Sequence, residues 1–309
     1  MAWTLFTQIV GLFFIMGLGY ALVRTGALRA KDSRTLSVIT VYIVQPCVIL
    51  QAFQIEFTAG VRRGFLLAAG CAAAYYLSLI AADALLHKRL GLTPEERASV
   101  MYANTGNMLI PLISSMFGPE SVVIASPLMA VQLCFIWTQG VFMMRGQKGL
   151  NLRQLFTNTN LIAIAAGLVM LALHIRIPQI LSVPIGSVAG VFGPVSMMMM
   201  GMIFAGTDLA AILRKRRIYG ITLLRLIVVP LAVLLALRLS GVSGFMPEGN
   251  PALYIIFLSF TTPTAMMITQ LAQFYGRDAA KASAVNVVTT LSCVITMPLM
   301  TALYTAVMR

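Results

Sequence analysis

Residues 101–117 read MYANTGNMLIPLISSMF. The flanks suit a helix crossing a lipid bilayer, yet the middle carries Asn104-Thr105-Gly106-Asn107 and then Pro111. Residues 259–274, SFTTPTAMMITQLAQF, repeat that arrangement around Thr262-Pro263-Thr264-Ala265. The two polar tetrads, at 104 and 262, lie 158 positions apart. The same offset relates the links that follow them, Phe117-Gly118-Pro119-Glu120 and Tyr275-Gly276-Arg277-Asp278. Broken backbone inside an apolar span is tolerated only where protein or a wet cavity satisfies its N–H and C=O groups.

The rest of the chain fixes the setting. Of 309 residues, 59% are hydrophobic and 10% charged, and mean hydropathy is +0.91. A soluble domain carries about 45–50% apolar and about 25% charged residues, because its surface faces water. Such a chain lacks the polar surface for a soluble fold and is read as a membrane protein. Its 22 Lys and Arg against 9 Asp and Glu give a net charge of +13. In a membrane protein that excess is topology information first.

A crossing helix needs about 20 largely apolar residues. Ten spans meet this, at 5–23, 36–54, 64–86, 98–117, 121–144, 157–174, 184–206, 219–239, 251–274 and 282–306. The sixth is the weakest, with Asn158 and Asn160 at its start and Arg176 and Pro178 after it. Loops following odd-numbered spans hold 16 Lys and Arg, and the opposite side holds 5. The asymmetry predicts odd loops in the cytoplasm and both termini outside. No Lys or Arg precedes Leu5–Val23, while Arg24, Arg29, Lys31 and Arg34 follow it, which fits an uncleaved first helix better than a signal peptide. The run Arg214-Lys215-Arg216-Arg217 beside a span is an orientation signal rather than a nucleic-acid site. Cys47, Cys71, Cys134 and Cys293 lie in apolar stretches without metal-ligand or disulfide spacing, so neither metal nor cofactor is implied.

Five spans per half, residues 1–150 and 151–309, invert the second half relative to the first. Inverted repeats with interrupted helices in matching positions point to a secondary transporter's binding site. A proline suits the start of a half-helix, where its missing N–H is no loss, and Pro111 and Pro263 are placed to act so. Spans four and nine run in opposite directions, so both second half-helices present positive dipole ends to the midplane, each equivalent to about half a charge. That arrangement suits a carboxylate. Asn and Pro in membrane helices also kink a helix or bond a neighbour's backbone, and each residue alone allows that reading.

The ordered set of motifs resembles the auxin efflux carrier family, which includes bacterial organic-acid permeases and the plant PIN auxin exporters. Asn104-Thr105 through Ile110-Pro111-Leu112 is similar to the family's fourth-helix pattern. Pro263-Thr264-Ala265, Leu271-Ala272, Tyr275-Gly276 and Thr296-Met297-Pro298 follow its ninth and tenth helices, with Pro46 in span two and Arg225-Leu226 and Pro230 in span eight. The resemblance covers essentially the whole chain. It implies an all-α membrane fold of ten helices in two inverted five-helix repeats. Spans 1, 2, 6 and 7 would form a scaffold and homodimer surface. Spans 3–5 and 8–10 would form a moving transport unit. It implies transport of a small organic anion, malate- or malonate-like or auxin-like, by an elevator motion. Asn104 matches the family's substrate-contacting crossover asparagine, and Thr264 stands where PIN proteins place an amide, which weighs against an indole-carboxylate substrate. The substrate-site set is Asn104, Thr105, Asn107, Pro111, Thr262, Pro263 and Thr264.

Asp83 and Arg225 are ionisable residues inside spans, and are candidate coupling or structural charges. Arg225, about six residues inside its span, has the reach to snorkel to the headgroups. Asp83 sits near the cytoplasmic end of span three. Either they pair, or Asp83 titrates a coupling proton, or each is a structural ion pair or interfacial anchor. His87 and His174 at span ends read as interfacial, and Met197–Met200 as packing. The expected partners are therefore a small organic anion, the lipid bilayer and a second copy of the chain, with no nucleic acid. An anion channel and a transporter-like membrane sensor are the alternatives. An enzyme is disfavoured, because the spans lack a His, Asp or Cys/His cluster for covalent or metal chemistry.

Overall fold

A computed structural model describes residues 2–54, 58–146, 156–208, 211, 214–242 and 251–308. The boundary expected at residue 150 and the side chain of His87 lie outside these residues. The described residues form helices and no strand. Seven helices are long and apolar enough to cross a membrane. They are α1 (Trp3–Arg24), α2 (Ala30–Ala52), α3 (Ala59–Ala84, continuing to Leu90), α6 (Pro119–Arg145), α8 (Gln179–Ala205), α9 (Arg216–Leu239) and α12 (Ala279–Val307). α7 (Thr159–Ala172) is apolar but only 14 residues long, shorter than the 157–174 expected. Spans four and nine are each interrupted. The fourth divides into α4 (Pro94–Met101) and α5 (Ile110–Phe117), and the ninth into α10 (Ala252–Thr261) and α11 (Met266–Phe274).

Prolines shape several spans in a way their positions alone did not predict. Among the described residues, three of the four π-helical turns, Thr40–Val44, Thr105–Leu109 and Leu224–Val228, have a proline two residues later, Pro46, Pro111 or Pro230, while Ile136–Gly140 does not. A proline inside a regular helix removes one hydrogen bond and collides with the carbonyl four residues back. The widened turn absorbs that collision, so the helix continues. Pro111 therefore does not start a half-helix, because helical backbone begins at Thr105. Pro263 likewise sits within the break, three residues ahead of Met266.

The helices pack side by side, and α1 touches both α8 and α12. α1 lies along the second segment of α8 (Phe192–Ala205), and the end of α2 packs on α7 and the first segment of α8. α3 lies along α6, while α12 packs against α9 and α11. The α1–α8 contact is backbone to backbone: a Cβ on Gly201 would stand 1.8 Å from the Met16 carbonyl oxygen. Among lipids, association rests on such close van der Waals approach rather than on expelling water. Leu5, Ile9, Leu12 and Met16 of α1 are buried against Met197, Met200 and Phe204, which gives the methionine run its packing role. Large apolar side chains face outward all round, Ile180 at 83% and Leu239 at 76% exposure among them, as expected where the surroundings are hydrocarbon. His174 is exposed just past α7 with φ of 56°.

Candidate functional site

The two interruptions meet. Between α4 and α5 the chain is extended at Tyr102 (φ −103°, ψ 122°), and between α10 and α11 it is extended at Thr262 (φ −67°, ψ 154°). Pro263 enforces the second, since a residue before proline is driven out of the helical region. Ala103 and Thr264 pair as an isolated antiparallel bridge. The Asn104 N–H donates to the Pro263 carbonyl (2.8 Å), and the Ala265 N–H donates to the Tyr102 carbonyl (2.9 Å).

Breaking two helices inside a membrane frees backbone groups, and side chains from four other elements take them up. From α6, Gln132 Nε2 donates to the Ala103 carbonyl (2.7 Å), while its Oε1 accepts from Tyr76 (2.9 Å) and Thr105 (2.7 Å). From α12, Asn286 Nδ2 donates to the Thr264 carbonyl (2.6 Å), and Thr289 Oγ1 accepts the Thr264 N–H (3.2 Å). From α3, the Tyr75 hydroxyl donates to the Met101 carbonyl (3.2 Å). From α9, Arg225 Nε and Nη2 both donate to the Thr262 carbonyl (3.1 and 2.9 Å), and Nη1 donates to Tyr75 and to the Val100 carbonyl (2.9 and 3.3 Å).

The residues singled out from sequence divide sharply. Thr262 and Thr264 are fully buried, and their hydroxyls donate to the Ser259 and Ser99 carbonyls (2.8 and 2.9 Å). Asn107, half-buried, places its amide nitrogen 3.7 Å from the Met266 sulfur. Asn104 is 3% exposed and its Nδ2 has no hydrogen-bond acceptor. It precedes the helical run Thr105–Phe117, whose first N–H groups have no acceptor within their own helix. The start of α11 lies across the bridge. A Cβ on Gly106 would stand 2.8 Å from Gln45 Nε2, so α2 presses an amide against the same turn. Gln45 in turn accepts from Asn160 Nδ2 of α7 (3.3 Å).

Of the readings left open for the two charges, Asp83 takes the structural ion pair and Arg225 takes neither a pair nor the interface. Asp83 pairs with Arg97, whose Nε lies 2.7 Å from Oδ1 and whose Nη2 bonds Oδ2, and not with Arg225. The three-residue link 91–93 turns α4 back beside the end of α3, which brings Arg97 within reach. Arg225 does not snorkel: it is 0% exposed, turned inward by the carbonyls of the two breaks. Sequence reading also passed over Gln132, Asn286, Thr289, Tyr75 and Tyr76. The two amides of span five, Gln132 and Gln139, and the Asn286/Thr289 pair, three apart on one face of span ten, were the available signals.

Two further features flank the crossing. Glu96 of α4 accepts the Thr93 N–H (2.8 Å) and binds Arg217 (2.5 and 2.7 Å), while Lys281 reaches Glu95 (3.3 Å). Burial pushes the Glu96 carboxyl up, but the hydrogen bond from Arg217, the Thr93 N–H and the Arg217 and Lys281 charges outweigh it and hold it below the usual range. A largely apolar cavity of ≈ 740 Å³ lies between α3 and α9, lined by Leu67, Cys71, Leu79, Val229, Val233 and Leu237 among others. It touches only the rear of the crossing, at Tyr75, Val100, Met101 and Phe260, and none of the seven sequence-predicted site residues lines it.

The family model described as Membrane transport protein matches residues 4–153 and again 148–301. No curated protein matches the chain.

Proposed function

We propose, on the premise that this chain belongs to the auxin efflux carrier family of membrane transport proteins, that it is a secondary carrier for a small organic anion. In this reading the fold is ten spans in two inverted repeats, residues 1–150 and 151–309, with α4/α5 and α10/α11 as the matched broken helices. The group α1, α2, α7 and α8 acts as scaffold and dimer surface. The group α3–α6 and α9–α12 moves as the transport unit, carrying the crossing from one side of a bacterial inner membrane to the other. The close packing of α1 on α8 and of α3 on α6 is consistent with the division, while α1 also contacts α12 across it.

The observation that carries the reading is the buried, acceptor-free Asn104 amide beside two helix starts. A buried polar group is normally hydrogen-bonded. A substrate carboxylate at that point supplies the missing acceptor, and the positive ends of α11 and of the run entering α5 stabilise its charge. Thr105, Asn107, Thr262, Pro263 and Thr264 shape this pocket through backbone and neighbouring side chains, and Pro111 sets the entry into α5. Membrane potential alone drives export of an anion, at about 2.3 kcal/mol per charge per 100 mV, so no coupling ion is required.

The test is uptake into proteoliposomes of malate, malonate, succinate, lactate and indole-3-acetate. Removing one hydrogen bond to a charged group costs about 1.5–3 kcal/mol, so Asn104→Ala weakens apparent affinity about ten- to a hundredfold. A variant indistinguishable from wild type on every transported anion removes the site assignment. Failure of all five to move removes the carrier.

A further inference from the structure

Arg225 is the buried cation whose partners are all uncharged. Among the described residues no carboxylate lies within ion-pair distance of it. The other buried charges are compensated: Asp83 by Arg97, Glu96 by Arg217 and Glu95 by Lys281. A lone charge taken from water into a membrane interior is expensive unless something balances it. What Arg225 touches identifies the balance. Val100 O lies at the C-terminal end of α4 and Thr262 O just past the end of α10, and Tyr75, which also receives a guanidinium hydrogen bond, passes its own hydrogen to Met101 O in the last turn of α4. The guanidinium therefore sits on the negative ends of both first half-helices. Each helix end is equivalent to about half a charge, so the two together balance about one positive charge.

The positive ends that face the crossing belong to the second half-helices, and no side-chain charge balances them among the described residues. The starts of α11 and of the run Thr105–Phe117 keep about half a positive charge each, and the acceptor-free Asn104 amide stands beside them. We infer that Arg225 sets the valence of the substrate: by neutralising the negative ends of both breaks it leaves a site matched to one negative charge, a monocarboxylate. This rests on the carrier reading above and adds a claim that reading does not contain.

The consequence is electrical. Helix dipoles carry no net charge, so only formal charges count when a transport unit crosses the membrane field. Arg225 and all the groups it holds lie on α3, α4, α9 and the break after α10, within the proposed moving unit. The empty unit then moves one positive charge, the unit loaded with a monoanion moves none, and the unit loaded with a dianion moves one negative charge. A full charge crossing 100 mV shifts an equilibrium about fiftyfold, and a rate about sevenfold where the barrier is midway.

The experiment is counterflow exchange in proteoliposomes of the whole protein, clamped at zero and at about 100 mV with potassium and valinomycin, at neutral pH. Lactate and indole-3-acetate serve as monoanions and malonate as a dianion. For the wild type, monocarboxylate exchange keeps the same rate at both potentials, and malonate exchange, being slower, changes by up to about sevenfold. In Arg225→Gln, monocarboxylate exchange slows and acquires that voltage dependence, whereas Arg225→Lys slows it without doing so. A purely structural arginine would lower rates with no new voltage dependence, and that result overturns the inference. So does a wild type that exchanges malonate but no monocarboxylate, or whose monocarboxylate exchange varies with voltage as steeply as that of malonate. If Arg225→Gln fails to fold, the wild-type comparison of the two charge classes decides alone. If no carboxylate exchanges, the carrier reading fails and this inference falls with it.

Discussion

Replacing Gln132 with Leu tests whether one amide holds the crossing together. The two side chains are close in volume, so the change removes hydrogen bonds with little effect on packing. Three are lost: the donor to the Ala103 carbonyl at 2.7 Å, and the acceptor for Tyr76 at 2.9 Å and for Thr105 at 2.7 Å. The groups left behind are unequal. The Thr105 hydroxyl can rotate to another acceptor, but the Ala103 carbonyl is fixed by the bridge to Thr264, and the Tyr76 ring is stacked between Tyr102 and Phe135. An orphaned buried group costs about 1–3 kcal/mol, so two of them cost roughly 2–4 kcal/mol once partial relaxation is allowed. At about 2.1 cal/mol/K of unfolding entropy per residue, this lowers the melting temperature by about 3–6 °C. Melting is followed in detergent by thiol labelling, because Cys293 is fully buried and reacts only on opening. Gln132→Glu, which keeps the acceptor, is expected to fall between Leu and wild type. A Leu variant melting within a degree of wild type would show that the bridge and the remaining side chains suffice, and the assigned role of Gln132 would be wrong.

Three further outcomes follow from particular contacts. Glu96 is held below the usual carboxylate range by Arg217 and the Thr93 N–H, so its contribution to stability is present above about pH 4.3 and is lost as pH falls through its folded-state value. Wild type and Glu96→Gln should thus melt apart at neutral pH and converge in acid, and a gap that persists in acid would refute the ion-pair account. Gly201→Ala places a Cβ 1.8 Å from the Met16 carbonyl oxygen, and size-exclusion profiles in detergent should show loss of the monodisperse species; an unchanged profile would mean that α1 and α8 separate freely. Asp83→Asn removes a structural pair with Arg97, so the pH profile of transport is expected to keep its midpoint even if the melting temperature drops, and a displaced midpoint would restore Asp83 as a coupling group.

Much of this was legible because hydropathy is a local property. Membrane residence and the polar interruptions at Asn104–Asn107 and Thr262–Thr264 could be read without knowing any contact. The family resemblance, carried by motifs in order along the chain, agrees with the family match over residues 4–153 and 148–301. The exact point of interruption was less legible. Proline was expected to mark the helix starts, but at Pro111 a widened turn absorbs the ring and the break falls at Tyr102–Asn104. A residue's conformational restriction does not say whether the neighbouring turn will adjust.

Partner choice was the part that sequence left open. For Arg225 and Asp83 the sequence left a mutual pair, a coupling role or a structural pair with another residue open; the structure gives the arginine the carbonyls of two broken helices and the aspartate Arg97. Gln132, Asn286 and Thr289 carry no local mark of their task, because the carbonyl or N–H each satisfies belongs to a different helix. By itself the sequence determined that the chain lives in a membrane, that two spans are interrupted in matching places, and which family it belongs to. Only the tertiary structure decided which side chains close those interruptions, since a hydrogen bond a few ångströms long depends on how helices far apart in sequence approach one another.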